Sequence, residues 1–265
     1  MKEELKAFIK FALKEDVRDG DHSSLACIPP TASGKAQLVV KENGILAGME
    51  VALAIFEKVN PDIHFFPLMH DGESMTVGDV AFIVQGPSSS ILTAERLVLN
   101  CMQRMSGIAT KTQHIVKLLE GTKAQVLDTR KTTPGIRLLE KWAVKIGGGV
   151  NHRFGLYDMM MIKDNHIDFA GGIESAIAKA INYQKDKGIN IPIEVEARNL
   201  EEVNEILRVG KKKFYLQVDS YYNSKQKKLF LDWVLTAQYH DYPNEWRKLF
   251  KKTGYNYDYN WTILK

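Results

Sequence analysis

Apolar positions recur at helical spacing early in the chain. The apolar residues of MKEELKAFIKFALKEDV fall on one face, which predicts a surface helix. The segment MEVALAIFEKV also predicts a helix, with Val51, Ala54, Ile55 and Val59 on one stripe. Between them, GKAQLVVKENGILAG reads as a strand with a turn at Asn43–Gly44. A later strand, DVAFIVQ, passes through a break at Gly86–Pro87 into a long helical region. Residues 1–105 are therefore predicted to form an α+β domain.

From about Ser106 onward, strand-like runs alternate with helical ones. The predicted strands are AQVLDT, DMMMIKDN and IPIEVEA, and the predicted helices are IRLLEKWAVKI, GIESAIAKAINYQKDKG and LEEVNEILRVG. This alternation is typical of parallel βα units, in a β/α barrel or a doubly wound sheet. Each strand ends in charged residues, and in such folds the carboxyl ends of the strands form the ligand-binding face.

The composition is ordinary for a globular protein and narrows the classes of partner. The 265 residues are 45% hydrophobic and 26% charged, and no apolar run approaches the length of a membrane span or a secretory signal. Cys27 and Cys101 belong to no motif. We therefore expect a cytoplasmic protein with no membrane partner.

The charge is unevenly distributed along the chain. Residues 1–210 carry 25 basic and 27 acidic side chains, whereas residues 211–265 carry 11 and 5. The last 55 residues also hold 14 of the 25 aromatic residues and one of the 19 glycines. The net charge of +4 therefore comes from the C-terminal segment, where the composition changes abruptly.

Positively charged side chains cluster where successive predicted elements end. Arg130 and Lys131 follow the strand AQVLDT, His152 and Arg153 follow the glycine run after the next helix, and Lys163 ends the next strand. A solvated basic surface is the usual state of such residues, but this clustering favours a binding site. Arginine and histidine donate directional hydrogen bonds to carboxylates and phosphates, and lysine adds mobile charge. The sequence predicts one pocket for a small polyanion.

Two other features have more than one interpretation. Glu194 and Glu196 alternate along a strand, so at most one of them shares the side of the cations. That residue either holds ribose hydroxyls and a Mg²⁺-bound diphosphate or forms a plain salt bridge. The glycine run 147–149 matches no nucleotide-binding pattern and is better explained as a helix stop.

Three stretches of the chain are specific enough to compare with a known family. They read ERLVLNCMQRMSGIATKT, DTRKTTPGIRLLEKWAVKIGGGVNHRFGLYDMMMIKDNH and IEVEARNLEE. Together they closely resemble quinolinate phosphoribosyltransferase, the carboxylating nicotinate-nucleotide pyrophosphorylase of NAD synthesis, and the resemblance runs to about Gly210. It implies an α/β fold, with an N-terminal α+β sandwich domain (1–105) followed by an incomplete or truncated β/α barrel (106–265).

The resemblance also implies a reaction and an assembly. Quinolinate and phosphoribosyl pyrophosphate would give nicotinate mononucleotide, CO₂ and pyrophosphate, in a homodimer whose partner completes each active site. Arg130, His152 and Arg153, with Arg96 of the partner subunit, would bind the two ring carboxylates.

The phosphate-binding and metal-binding roles are implied in the same way. Lys131 and Lys163 would hold the phosphates and offset charge on the departing pyrophosphate, while Glu196 would face the ribose and its Mg²⁺. Asp219, in LQVDS, is the candidate for an aspartate that the family has near this point. Catalytic roles are thus expected for Lys131, Lys163 and Glu196, and metal binding for Glu196 and Asp219.

Residues 211–265 depart from the family pattern, because its glycine-rich last loops are absent. Backbone N–H groups of such loops usually bind a phosphate. The alternatives are therefore an impaired or inactive family member with an altered C-terminus, or a related phosphoribosyltransferase that acts on another aromatic acid. A module that binds nucleic acid through its basic, aromatic tail is a less favoured alternative, since most such stretches are merely exposed.

Overall fold

The structure is a computed structural model that describes residues 2–121, 124–209, 215–233, 240–253 and 258–262. It divides into two compact units, Met1–His152 and Arg153–Lys265. Each unit has its own cluster of buried apolar side chains.

The first unit combines helices with two small antiparallel sheets. Its helices are α1 (Lys2–Asp16), α2 (His22–Cys27), α3 (Met49–Val59), α4 (Ser88–Leu118) and α5 (Arg137–Ile146). Its strands are β1 (Ser33–Val39), β2 (Gly44–Ile45), β3 (His64–Pro67), β4 (Ser74–Met75) and β5 (Val80–Pro87). One sheet has the order β1-β5-β3, and β2 pairs with β4. The predicted helices and the strands β1 and β5 are confirmed, whereas α2, β2, β3 and β4 were not predicted. Gly44, predicted to lie in a turn, begins β2.

Apolar residues of α3, β5, α4 and α5 form the core of this unit. In α3, Val51 and Ile55 are completely buried, as their spacing of four residues on one helical face requires. Cys101 of α4 is buried in the same cluster, and burial raises the pKa of its thiol to about 11. Cys27 and Cys101 are both free.

The C-terminal end of α5 lies directly against α4. A Cβ atom on Gly147 would overlap the carbonyl oxygen of Ala109 and would lie 2.8 Å from Thr112 Cβ. Gly148 follows with a φ of 87°. The predicted helix stop is confirmed, and the run has a second role that the pattern did not indicate, because the two helices approach too closely for a side chain at residue 147.

A charged contact joins the same two helices. Arg104 of α4 donates from Nε and Nη2 to Glu140 Oε1 of α5, at 2.9 and 2.6 Å, and the Thr133 backbone N–H donates to Glu140 Oε2 at 3.1 Å. The side chain of Glu140 is 8% exposed. Burial acts to raise the pKa of Glu140, but the hydrogen bonds from Arg104 and Thr133 outweigh it, so this pKa lies below its ordinary value of 4.5.

The second unit begins with parallel strand pairing. Its first elements are β6 (Met160–Ile162), α6 (Asp164–Ala170), α7 (Ile173–Lys187), β7 (Ile193–Val195) and α8 (Leu200–Val209). Strands β6 and β7 pair in parallel, with Ile162 opposite Val195. The predicted alternation of parallel strands and helices is confirmed here, although the short α6 was not predicted.

The basic and aromatic segment near the C-terminus also contains regular structure. It forms β8 (Tyr215–Asp219), α9 (Ser224–Trp233), α10 (Pro243–Thr253) and β9 (Asp258–Thr262), and β8 pairs with β9 in parallel. The side chains of Tyr221 and Phe230 are buried. The centroid of the Tyr221 ring lies 4.6 Å from the centroid of the Tyr242 ring. Lys227 Nζ lies 5.4 Å from the centroid of the Tyr221 ring. These aromatic side chains therefore pack against one another within the described part of the segment.

The fold is mixed α/β, with an N-terminal domain built on small sheets followed by a unit of helices and parallel strands, as predicted. The predicted strand AQVLDT is reduced to a single parallel bridge between Leu127 and Val150. The domain boundary predicted after Met105 lies within α4, and both that boundary and the incomplete barrel stay predictions. Among the helices that the structure describes, none is long and apolar enough to cross a bilayer.

Replacement of Gly147 by alanine is expected to lower the free energy of unfolding by about 2–3 kcal/mol, because the added methyl group overlaps the backbone of α4. Gly148→Ala is the matched control, since it introduces the strain of a positive φ without such an overlap and should cost about 1 kcal/mol. Urea denaturation of both variants measures the two effects. Equal stabilities would contradict the close approach of α4 and α5.

Glu140→Gln is expected to lower the free energy of unfolding by about 1–3 kcal/mol at pH 7, because a hydrogen-bonded buried carboxylate is lost. The folded-state pKa of Glu140 is lowered, so its contribution is present above pH 4.5 and disappears as the pH falls through the folded-state value. The difference between wild type and Glu140→Gln should therefore shrink below pH 4.5 in urea titrations. The exposed Glu95→Gln on α4 is the control, and a pH-independent difference would count against this contact.

Candidate active site

The predicted cations are divided between the two compact units. Arg130, Lys131 and His152 belong to the first unit, and Arg153 and Lys163 belong to the second. Arg130, His152, Arg153 and Lys163 are partly buried, whereas Lys131 is exposed. The single pocket predicted for all five residues stays a prediction.

An ion pair that the sequence interpretation missed lies beside Arg130 and His152. Lys141 Nζ of α5 pairs with Asp128 Oδ1, and the two side chains are 3% and 6% exposed. We call this contact the α5 ion pair. The His152 backbone N–H donates to Asp128 Oδ1 at 2.9 Å, and Lys141 Nζ donates to the His152 carbonyl oxygen at 3.1 Å. Both backbone polar groups of His152 therefore bond to the α5 ion pair.

Asn151 also forms hydrogen bonds with both residues of the α5 ion pair. Its Nδ2 atom donates to Asp128 Oδ2 at 2.5 Å and to the Lys141 carbonyl oxygen at 2.8 Å. The Asp128 backbone N–H in turn donates to the Val150 carbonyl oxygen at 3.1 Å. The segment that leads to Arg130 is thus bonded to the segment that leads to Arg153. A lysine within an amphipathic helix is ordinarily exposed, so its position in the sequence did not single out Lys141. The one available signal was an acidic residue at the end of a predicted strand, Asp128, which could pair with a lysine of the following helix.

Two arginines have a buried guanidinium nitrogen with no hydrogen-bond acceptor among the described residues. These atoms are Nε of Arg130 and Nε of Arg153. Arg153 Nη1 contacts the Met159 carbonyl oxygen at 3.4 Å, a long hydrogen bond. Because buried donors are normally paired, each of these two arginines is suited to binding an anionic group that supplies an acceptor.

In the second unit, Lys163 and Glu196 come together at the carboxyl ends of two parallel strands. Lys163 follows β6, Glu196 follows β7, and Lys163 Nζ donates to Glu196 Oε1 at 2.5 Å. Their side chains are 41% and 50% exposed. Parallel pairing of β6 and β7 therefore places this pair at the edge where βα folds bind ligands.

The backbone of Lys163 is fixed by the helix that follows it. Its N–H donates to His166 Nδ1 at 2.9 Å, so this nitrogen is the acceptor and a neutral ring carries its proton on Nε2. Lys163 is the N-cap residue of α6. His166, which was not among the predicted site residues, thus anchors the turn that carries Lys163.

The two remaining predicted site residues are Arg96 and Asp219. Arg96 is exposed on α4, and Asp219 ends β8, with its side chain outside the described part of the chain. In the described part, no group of three or more His, Cys, Asp or Glu side chains could hold a metal ion. The roles of Arg96, Asp219 and Mg²⁺ therefore stay predictions.

Two family models match consecutive parts of the chain. The N-terminal domain of quinolinate phosphoribosyl transferase matches residues 21–106, and the C-terminal domain of the same family matches residues 108–229. The second match continues beyond Gly210, where the resemblance recognised in the sequence ends.

Similar proteins from plants and bacteria carry related names. The chain is 48% identical over 205 residues to the chloroplastic nicotinate-nucleotide pyrophosphorylase [carboxylating] of Arabidopsis thaliana, covering 77% of this chain and 58% of that protein. It is 41% identical over 207 residues to the probable nicotinate-nucleotide pyrophosphorylase [carboxylating] of Bacillus subtilis, covering 78% and 70%. The chain therefore spans less than two thirds of the length of the Arabidopsis relative.

Solved structures resemble nearly the whole chain. NadC from Streptococcus pyogenes matches with a TM-score of 0.76 and 33% identity, covering 99% of this chain and 91% of that one. The nicotinate-nucleotide pyrophosphorylase from Francisella tularensis matches with a TM-score of 0.75 and 30% identity, also covering 99% and 91%. From these matches and the two family domains in sequence, the chain belongs to the quinolinate phosphoribosyltransferase family.

Proposed function

We propose that this protein transfers a phosphoribosyl group from phosphoribosyl pyrophosphate to the ring nitrogen of quinolinate, with release of CO₂ and pyrophosphate. Beyond family membership, the observation that carries the proposal is the pair of buried Nε atoms of Arg130 and Arg153 without acceptors among the described residues. Leaving a buried donor unpaired is costly. A ligand with two carboxylates supplies acceptors for both.

The substrate has two adjacent carboxylates, which demand several directional donors. In this proposal Arg130, His152 and Arg153 bind them, since a guanidinium group meets a carboxylate through two parallel hydrogen bonds. A ligand with a single carboxylate would leave Nε of Arg130 or Nε of Arg153 without an acceptor among the described residues. The site therefore selects an aromatic diacid over a monoacid.

The two lysines bind the phosphate groups of phosphoribosyl pyrophosphate. Lys131 and Lys163 offset the negative charge that develops on the departing pyrophosphate. Glu196, already bonded to Lys163, meets the ribose hydroxyls and the Mg²⁺ that accompanies the phosphates, with Asp219 as a second metal-binding candidate. One half-exposed carboxylate fits this use, because Mg²⁺ commonly takes one or two protein carboxylates and keeps phosphates and waters as its other ligands. When bound, Mg²⁺ neutralises pyrophosphate charge.

No protein nucleophile is needed in this mechanism. The ring nitrogen attacks an oxocarbenium-like C1 of the ribose as the bond to pyrophosphate breaks. The bond between the ring and the carboxylate beside the nitrogen then breaks and CO₂ departs. The adjacent positive nitrogen stabilises the electron pair left on the ring carbon, and this carbon takes up one proton from water to give the product. The protein contributes positioning and fixed positive charge.

A second candidate is a family member that binds quinolinate but turns it over slowly. The composition of residues 211–265 favours it, because glycine-rich phosphate-binding loops are absent from that segment, even though the family match itself continues to residue 229. A related phosphoribosyltransferase acting on another aromatic acid would use the same donors. Substrate binding and turnover therefore have to be measured separately.

The assembly and location belong to the same proposal. A homodimer would allow Arg96, exposed on α4, to reach the carboxylates bound by the partner subunit. A cytoplasmic location agrees with two free cysteines, one of which is buried.

Calorimetry is expected to show quinolinate binding that is at least about tenfold tighter than binding of nicotinate, the matched monoacid, since a tenfold change in affinity corresponds to about 1.4 kcal/mol. Release of ¹⁴CO₂ from carboxyl-labelled quinolinate, dependent on phosphoribosyl pyrophosphate and Mg²⁺, tests turnover. Folded protein that binds no quinolinate would exclude the proposal. Binding without CO₂ release would favour the second candidate.

Arg153→Lys is expected to weaken quinolinate binding by about tenfold or more, because an ammonium group cannot form two parallel hydrogen bonds with a carboxylate. Arg208→Lys in α8 is the control, because Arg208 pairs with Glu174 at a site where both side chains are 63% exposed. Calorimetric titration of both variants checks the difference. An unchanged affinity in Arg153→Lys would remove Arg153 from the substrate site.

A further inference from the structure

The depth of burial of Lys141 requires an explanation. Its side chain is 3% exposed in the middle of α5, although lysine is almost never this buried in proteins unless it is paired. A buried ion pair loses the solvation of both charges, and well-packed apolar residues are often at least as stabilising. Stability alone therefore gives no reason for a lysine and an aspartate at these positions.

The hydrogen bonds of the α5 ion pair all lead to the candidate site. Asp128 accepts hydrogen bonds from Lys141 Nζ and the His152 N–H on Oδ1 and from Asn151 Nδ2 on Oδ2. Lys141 Nζ also bonds to the His152 carbonyl oxygen. These contacts fix the two peptide groups on either side of His152, and with them the direction in which its Cα–Cβ bond points.

The same carboxylate belongs to the segment that carries Arg130 and Lys131. Only one residue separates Asp128 from Arg130. On the neighbouring position of α5, Glu140 accepts a hydrogen bond from the Thr133 backbone N–H at 3.1 Å. Adjacent acidic and basic residues of one helix thus hold the segment 128–133 at both ends.

We propose that Lys141 and Asp128 are positioning residues of the quinolinate site, which hold the peptide groups of His152 and the start of the Arg130–Lys131 segment in one fixed arrangement. This inference rests on the proposed function for its ligand, whereas the hydrogen bonds of the α5 ion pair join residues of this chain only. Misplacement of a binding group by about 1 Å can reduce the rate by about 100-fold. A small movement of His152 or Arg130 would therefore lower the catalytic rate.

The chemistry of Asp128 suggests a variant that separates positioning from stability. An amide in place of the carboxylate has one acceptor oxygen, and its NH₂ group would face another donor, from either Asn151 or His152. The double variant Asp128→Asn/Lys141→Met buries no unpaired charge. It should therefore fold, because proteins often tolerate the replacement of both members of a buried ion pair by uncharged residues. The hydrogen bonds to the two polar groups of His152 would nevertheless be weakened or lost.

Hydrogen exchange of the ligand-free full chain tests the arrangement. In the double variant we expect exchange in peptides covering 149–153 to be at least about tenfold faster than in wild type. Lys145→Met, at an exposed position one turn farther along α5, is the matched control and should not differ from wild type. A folded double variant with wild-type exchange in these peptides would overturn the proposal.

Kinetics of the same variants test the functional consequence. The KM for quinolinate is expected to rise by about tenfold or more and kcat to fall, while the KM for phosphoribosyl pyrophosphate changes by less than about threefold. Equal increases in both KM values would indicate a merely structural role and overturn the proposal. If wild type neither binds nor converts quinolinate, the proposed function fails, whereas the exchange measurement still decides whether the α5 ion pair holds the segment.

Discussion

The α5 ion pair, formed by Lys141 and Asp128, is the contact on which the candidate site of the first unit depends. Two charges are nearly removed from water, and their loss of solvation is offset only because each charge also bonds to other polar groups. Removing one partner of such a pair commonly costs about 3–5 kcal/mol, since the other charge is left unpaired. The positions of Lys141 and Asp128 are therefore tightly constrained. Hydrogen bonds of Asp128 extend this constraint to Asn151, His152 and the Val150 backbone.

The position of α5 is set in turn by its contact with α4. Gly147 allows the end of α5 to approach the backbone of α4, and Glu140 bonds to Arg104 across the same contact. Close packing and a charged hydrogen bond thus fix the same helix at two places. Leu139 and Ala143 lie among the buried side chains of the first unit, so the helix that carries Lys141 also contributes to the core. Packing and site geometry are consequently linked through one element.

In the second unit, strand pairing positions Lys163 and Glu196. Parallel pairing of β6 with β7 brings the carboxyl ends of the two strands to one edge, where Lys163 and Glu196 form their ion pair. The pairing of β8 with β9 repeats the parallel arrangement in the segment whose composition departs from the rest of the chain. Its aromatic side chains are used in packing, as the buried Tyr221 and Phe230 show. A nucleic-acid surface that requires these two rings to be exposed is therefore disfavoured.

The sequence by itself determined the helices with clear apolar stripes, the alternation of strands and helices after residue 150, and the cationic residues around DTRK, NHR and IKDNH. These features are local, because periodicity and strand-end charge can be read within a few residues. The sequence did not reveal the short strands β3 and β4, whose pairing depends on distant residues, or the reduction of AQVLDT to one bridge. It also did not distinguish Lys141 from the exposed lysines of an amphipathic helix. Only the tertiary structure decided that Lys141 is buried, because its environment comes from Asp128 and His152, which lie on other segments of the chain.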